Sequence, residues 1–378
     1  MKTKNSNWYL KEGLIYLNHG SFGATPKVIL NKFFQLCEQV DENPMKFYLD
    51  DYPLLLNQSR NAISDFINAQ IEKIAFVDNA TTGINAVMRS LLPLIKHDWE
   101  ILTTNHYYPA VKNTLSYMSA LTGCKINVVE LPDFVESSVQ LFELITNQIN
   151  EKTKLLVCDH ISSISGMIFP VKELNDFCKT KGIFTMIDGA HAPGFLPLDL
   201  KALNPDWYTG NLHKWLFAPK GTAILYSNSS NDFDIHPVVI SNNFGKGFIE
   251  EFDWVGTRNF CSWLTIKNCI EFYKLNFKYE YCRELSLFAR ELLIKELDLE
   301  PMAHESITGL MQSFWLPEKL GNTVDESIKL RKILLNKFNI EVFLNPFKDR
   351  LVLRISSQIY NTQSHYEILT EALKYILK

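Results

Sequence analysis

Short apolar runs that stop abruptly at polar residues recur along the chain, separated by longer stretches with apolar positions three and four apart. The runs at 74–78, 101–104, 126–130, 154–158, 183–187 and 222–226 read as strands. The run at 183–187 has no polar alternation, the pattern of a strand buried on both faces whose end opens into a site. The stretches 26–40, 52–69, 84–92, 139–149 and 170–181 read as helices, and their apolar stripes are most simply core packing. Asn43-Pro44 breaks the first two apart. Alternating strands and helices of this kind build a parallel sheet. From about residue 260 the pattern changes to helices at 260–275 and 279–297, a strand at 311–316, a helix at 325–338, strands at 340–344 and 351–355, and a final helix. That is the layout of a smaller α+β domain, so the expected division is 14–259 and 260–378.

The stretch from Gly182 to Tyr226 concentrates the chemistry. The strand at 183–187 ends in Asp188-Gly189, and a carboxylate at a buried strand tip calls for a cationic partner. Lys214 follows 26 residues later in Asn211-Leu212-His213-Lys214-Trp215. Its neighbours Leu212, Trp215, Leu216 and Phe217 desolvate the amine, which lowers its pKa and favours a neutral nucleophile. Read singly, Asp188 caps a turn and Lys214 is a solvated loop lysine. Read together, they are the aspartate for a protonated pyridine nitrogen and the lysine for a Schiff base that a protein supplies to pyridoxal 5'-phosphate. Upstream, the strand at 74–78 runs through Asn79-Ala80-Thr81-Thr82-Gly83 into a helix, where backbone N–H groups, hydroxyls and the helix dipole converge on an anion.

Asp188-Gly-Ala-His-Ala-Pro-Gly and Gly210-Asn-Leu-His-Lys-Trp-Leu-Phe-Ala-Pro-Lys-Gly resemble the signature of the class V, cysteine desulfurase-like aminotransferases, most closely the isopenicillin N epimerase-like branch. The likeness runs over nearly the whole chain, from the YLNHGSFGATP element to LRISSQIYN. It implies the fold type I architecture of pyridoxal-phosphate-dependent enzymes, a mostly parallel seven-stranded sheet flanked by helices with a smaller α+β C-terminal domain, and an N-terminal segment 1–25 over the site.

The same resemblance gives residues their expected roles. Lys214 forms the Schiff base and Asp188 holds the ring nitrogen. Thr81, Thr82 and the Gly83 backbone bind the phosphate together with Asn211 and His213. Tyr108, just past the strand at 101–104, falls where the family stacks an aromatic ring or His on the pyridine, and His191 falls where the ring hydroxyl is held. Ser163, in Asp159-His160-Ile161-Ser162-Ser163, faces the cofactor; Asp159 and His160 are equally well read as a structural pair. Thr257, in Trp254-Val-Gly-Thr257, supplies a hydroxyl to the phosphate of a neighbouring subunit, which makes the protein a homodimer with shared sites. Arg354, inside an apolar strand, suits a substrate α-carboxylate with its planar fork of donors. Asn18 and His19 are candidate substrate contacts, with a mere entry loop as the alternative, and the loops 43–52 and 241–251 are expected to line the side-chain pocket. An epimerase also needs a second proton donor on the face away from Lys214, for which Tyr108, His19 or a neighbouring His is the candidate.

Composition narrows the classes. Hydrophobic residues make up 46% and charged ones 21% of 378 residues, an ordinary globular balance. A net charge of −4 and a pI near 6.2 leave no basic footprint for nucleic acid. No run of about 18 apolar residues and no apolar leader core is present, so a cytoplasmic protein without a membrane partner is expected. The seven cysteines form no Cys-x-x-Cys pair and read as reduced, mostly buried residues; no metal is expected. Cys282 is the last of them, ahead of the C-terminal strands, which disfavours the mobile-loop cysteine of persulfide transfer. The expected reaction is chemistry at Cα of an amino-acid-type small molecule, most like an epimerase of the isopenicillin N type. A C–S lyase acting on a cysteine conjugate or sulfoxide, or an aminotransferase, is the alternative. A non-catalytic binding protein on the same scaffold is disfavoured because Lys214 is present.

Overall fold

The computed structural model describes residues 7–228 and 233–378. Its strands are β1 (Ile15–Tyr16), β2 (Ile74–Val77), β3 (Glu100–Thr104), β4 (Lys125–Val129), β5 (Thr153–Asp159), β6 (Phe184–Asp188), β7 (Trp207–Asn211), β8 (Ala223–Ser227), β9 (Glu300–Pro301), β10 (Met311–Trp315), β11 (Ile340–Glu341), β12 (Phe343–Phe347) and β13 (Arg350–Ser356). Seven of them form the main sheet in the order β2-β8-β7-β6-β5-β3-β4. Strands β4, β3, β5, β6 and β7 pair in parallel, and β8 runs antiparallel between β7 and β2.

Each central strand is buried on both faces and divides its side chains between two cores. On β5, Leu156 and Cys158 join one apolar cluster while Leu155 and Val157 join the other. The period of two makes this division automatic, and helices cover both faces. The carboxyl ends of the parallel strands therefore lie along one edge of the sheet. Asp159 sits in register with Asp188, and Asp188 with Thr209. Asn211 and Val77 both pair with Ala223, bringing the start of β8 to the same edge.

Several boundaries differ from the sequence reading. The helix expected from residue 84 is Ala80–Leu91, because the Asn79 side chain caps it by accepting a hydrogen bond from the Thr82 N–H at 2.9 Å. Thr81 and Thr82 thus lie in the first turn. Residues 43–52, read as a loop, are helical at Pro44–Lys46 and Phe47–Asp51. The strand expected at 340–344 is two pieces: β11 pairs in parallel with β1, and β12 joins the antiparallel sheet β12-β13-β10-β9. The helix Ile266–Asn276 buries Ile266, Cys269 and Ile270 in the same core as Tyr52 and Phe76, so a division at 260 cuts through one apolar cluster. The small-domain core is a separate cluster that includes Leu285, Phe314, Leu353 and Tyr366.

Gly83 shows how closely the phosphate-turn helix approaches the sheet. A Cβ at that position would lie 2.5 Å from Thr209 Oγ1 and 3.0 Å from Thr209 Cβ, on a fully buried strand residue. Gly83→Ala is expected to lower the unfolding free energy by about 1–3 kcal/mol through overpacking, read as an earlier urea transition.

Candidate active site

The sheet edge opens into a cavity of about 700 Å³ whose wall combines Asp159, Asp188 and Lys214 with Asn79 to Thr82. Asp188, at the end of β6, is 5% exposed and accepts a 2.9 Å hydrogen bond from the Ala190 N–H. Burial raises its pKa, while that N–H and Lys214 favour its charge. Asp159, in register on β5, is raised well above the usual carboxylate range by burial and by the charge of Asp188. Two adjacent carboxylates do not both ionise readily in such a place. Asp159 is pushed up further, by burial and then by the charge of Asp188, so the proton rests on Asp159 and the charge on Asp188.

Lys214 is 8% exposed, and its amine is drawn down to about 7 by burial first and the Arg354 cation second, against the pull of Asp188 and Asp159. Near neutral pH it is substantially a free amine. Its Nζ lies 3.0 Å from His191 Nε2. The lysine loop is fixed from outside by the N-terminal segment. Gly23, at φ 69°, passes so close that a Cβ would come within 2.2 Å of the His213 carbonyl oxygen. His19 is fully buried, with Nδ1 2.9 Å from the Tyr360 hydroxyl and Nε2 3.0 Å from the Lys214 carbonyl oxygen. His19 is therefore a strut under the lysine loop rather than a substrate contact, because both ring nitrogens are engaged and it is absent from the cavity wall. Asn18 does line the cavity.

At the helix start, Ala80 N–H donates to Asn211 Oδ1 at 2.8 Å, which locks the end of β7 onto the turn. Thr81, Thr82, Asn211 and His213 all face the cavity. Gly83 does not. Its N–H donates to the Asn79 carbonyl within the helix, so its part is close packing and not an anion contact. His213 Nδ1 lies 3.0 Å from the Thr222 carbonyl oxygen, and burial together with Lys214 lowers its pKa to about 4, keeping it neutral. Tyr108 caps the helix Pro109–Thr122 and stands half-exposed at the cavity wall. Thr257 is exposed outside the cavity of its own chain, on a loop tied by the Arg258–Asp78 ion pair beside the phosphate turn. His160 bonds the Tyr208 hydroxyl at 2.9 Å, a structural contact behind Asp188.

Arg354 is 1% exposed and lies one layer behind the wall. Its guanidinium donates to the Ser163 carbonyl, to Asn18 Oδ1 at 3.2 Å and to Ser21 Oγ at 3.0 Å, and it sits 4.2 Å over the Phe343 ring. All these acceptors are neutral, Nε has no acceptor, and among the described residues no ion pair reaches it. A buried cation so supplied suits an incoming anion. The small domain adds Arg331, Val342, Phe343 and Leu344 to the mouth. Neither these residues nor Phe22 carried a sequence signal, and residues 43–52 and 241–251, expected to line the pocket, are absent from its wall.

The donor set has a buried carboxylate at one place, hydroxyl and amide donors on a helix start at another, and a neutral lysine amine on the same wall. This fits pyridoxal phosphate: Asp188 for its ring nitrogen, Lys214 for its carbonyl carbon and the helix start for its phosphate.

Residues 25–304 match the model of the family described as aminotransferase class-V. The chain belongs to the class-V aminotransferase family. It is a pyridoxal-phosphate-dependent enzyme. This class-V chain is 30% identical to the isopenicillin N epimerase of Amycolatopsis lactamdurans over 96% of its own length and 95% of that protein's. It is 29% identical to a probable chloroplastic L-cysteine desulfhydrase of Arabidopsis thaliana over 96% and 82%. Among solved structures, the apo cysteine desulfurase from Thermococcus onnurineus NA1 superposes with a TM-score of 0.79 at 20% identity, covering 98% of this chain and 96% of the other, a likeness of fold.

Because the Lys214 amine is held near 7, its reactivity should rise through that pH. Below it the ammonium has no lone pair, and above it the free amine reacts. Acetic anhydride labelling of the cofactor-free protein, resolved by peptide mass, is expected to give a midpoint near pH 7 at Lys214 and near 8 at Lys220, which is also lowered by burial.

Proposed function

We propose that this class-V enzyme removes the Cα proton of an α-amino acid or a derivative with a free carboxylate and delivers a different proton to the opposite face, as an epimerase. The observation that carries the reading is a buried Lys214 amine, drawn down to about 7 by burial and the Arg354 cation, in a site backed by a buried guanidinium that has only neutral partners. Lys214 is the base. Its free amine takes the Cα proton near neutral pH, where an ammonium could not. Arg354 binds the carboxylate, and Asn18, Ser21 and Ser163, which already hold the guanidinium, orient it. Asp188 keeps a proton on the ring nitrogen. Thr81, Thr82, Asn211 and His213 hold the phosphate, and His191 faces the ring hydroxyl. When bound, pyridoxal phosphate supplies the sink for the electron pair left at Cα.

Epimerisation requires a second proton donor on the face away from Lys214. With His19 engaged elsewhere, Tyr108 takes that role as the phenol of the wall, besides covering the cofactor ring. The relatives' names support two outcomes, epimerisation and loss of sulfur from a cysteine-type substrate. The second reading, C–S β-elimination, is favoured by one observation: it uses Lys214 without a second acid, and His19, one of the candidate acids, is a strut.

Proton NMR in deuterium oxide with amino acids, cysteine conjugates and their sulfoxides separates these. Deuterium at Cα with an intact skeleton and both configurations supports the epimerase, and Tyr108→Phe should then slow interconversion at least about a hundredfold. Pyruvate with a released sulfur fragment replaces it with the lyase reading, and the same variant should retain most activity.

We also infer a homodimer in which Thr257 of one chain serves the phosphate of the other. Supporting it are the exposure of Thr257 beside the phosphate turn and the exposed apolar residues Phe22, Val239, Ile240 and Phe244. Sedimentation at micromolar concentration should give about twice the 43.7 kDa chain mass; a fully active monomer would refute shared sites.

A further inference from the structure

Trp215 is fully buried directly after the lysine, with its ring edge-on to Phe195 at 4.8 Å and tilted against His19 at 5.1 Å. Packing alone accounts for those contacts. It does not account for the indole N–H, which points at His191 Nδ1 at 3.4 Å, on the side of the ring away from Lys214.

An indole nitrogen only donates. The His191 nitrogen facing it must then be the bare one. His191 is 1% exposed and is held neutral first by burial and then by the Arg354 cation, so its single ring proton lies on Nε2. That N–H meets Lys214 Nζ at 3.0 Å, a contact that is favourable only if the lysine accepts. An ammonium has no lone pair to accept with. Turning the imidazole over would put carbon atoms against both the indole and the amine and lose both contacts. The alternative tautomer would set two N–H groups against each other at Trp215.

We propose that Trp215 is a positioning residue that fixes His191 as the Nε2–H tautomer, so that the imidazole donates to Lys214 and holds it as the free amine. Of the titratable groups around the amine, Asp188 favours the ammonium and Asp159 joins it only when ionised, while Arg354 opposes it and His213 is neutral. The indole thus reinforces Arg354 against the Asp188 carboxylate. With pyridoxal phosphate bound, the same Nε2–H would be available to it as a donor, and the lysine lone pair would be free to react.

The inference rests on Lys214 being the reacting amine only for that consequence, so its test uses the cofactor-free whole chain and no turnover. In the ¹⁵N-histidine-labelled protein, with His191 assigned by loss of its signals in His191→Gln, the two ring-nitrogen shifts are expected to report a bare Nδ1 and a protonated Nε2. A protonated Nδ1 would overturn the proposal. In Trp215→Phe, which keeps a buried aromatic ring, the Nδ1–H tautomer becomes available and Lys214 can donate to Nε2. The acylation midpoint of Lys214 should then rise by about one pH unit, lowering its reactive fraction at pH 7 about fivefold. An unchanged midpoint would reduce Trp215 to packing. If that variant does not fold, the wild-type tautomer still decides. A correct tautomer in a protein that fails to exchange Cα protons would count against the proposed function and leave this inference standing.

Discussion

A lysine amine kept out of water is the constraint to which the rest of the molecule answers. Burying an ammonium is costly, and the usual escape is to give up the proton. In the proposed chemistry this escape is what the reaction needs, since only the free amine can react with a carbonyl carbon or take a proton from Cα. The counter-risk is equally plain. Two carboxylates on adjacent strand tips would restore the ammonium if both were charged. Their register makes them neighbours, and neighbourhood in a dry place leaves one of them protonated. The parallel sheet supplies both halves of this balance, because its geometry delivers every strand terminus to one edge.

Holding the lysine there requires a loop that departs from regular structure, and the chain secures it with aromatic mass. Phe217, three residues past the lysine, adopts a left-handed backbone at φ 65°, a conformation that costs of order 1–3 kcal/mol for a residue with a side chain. Its ring is gripped by Trp8 at 5.4 Å, Phe272 at 5.5 Å and Phe277 at 6.2 Å. Trp8 comes from the N-terminal segment and the other two from the helix after residue 265 and its end. The strain is thus offset by residues with no chemical part in the site. Their burial, roughly 2–3 kcal/mol for each large side chain, is ample for it.

Most of the large domain was legible in the sequence because its information is local. Apolar runs ending in Asp or Asn marked the strands and their functional ends together, and the threonine turn announced a helix start. What escaped lay where several local rules compete. Asn79 is an ordinary turn residue in sequence, and only its side-chain bond to Thr82 brings the helix start four residues nearer the N-terminus, which in turn shows the Gly83 N–H to be spent inside the helix. His19 sits among Asn, Gly and Ser in what reads as an exposed polar loop. It is fully buried because Gly23 lets that loop press against the lysine backbone. Trp215 reads as packing from its neighbours, and the direction of one N–H bond is not a property that periodicity can carry.

The substrate end of the site shows the same limit in its strongest form. Arg354 is held by Asn18 and Ser21, 336 and 333 residues away in the chain, and by Ser163, 191 residues away. Ser356 reaches the same segment, donating its N–H to the Leu17 carbonyl at 2.7 Å while its hydroxyl accepts the Gly20 N–H at 3.1 Å. Three separate pieces of chain, one from the N-terminus, one from the large sheet and one from the small domain, therefore meet at a single guanidinium. None of them is complete alone: without β13 the polar groups of Asn18 and Ser21 lose their donor, and without the N-terminal segment Ser163 is the guanidinium's one remaining hydrogen-bond partner. The cofactor groups lie on the large domain by local strand order. The guanidinium proposed to bind the carboxylate gains its full set of partners only when both chain ends have folded onto that domain, and the segment that supplies Asn18 and Ser21 also buttresses the lysine loop through His19, so the two halves of the site are completed together.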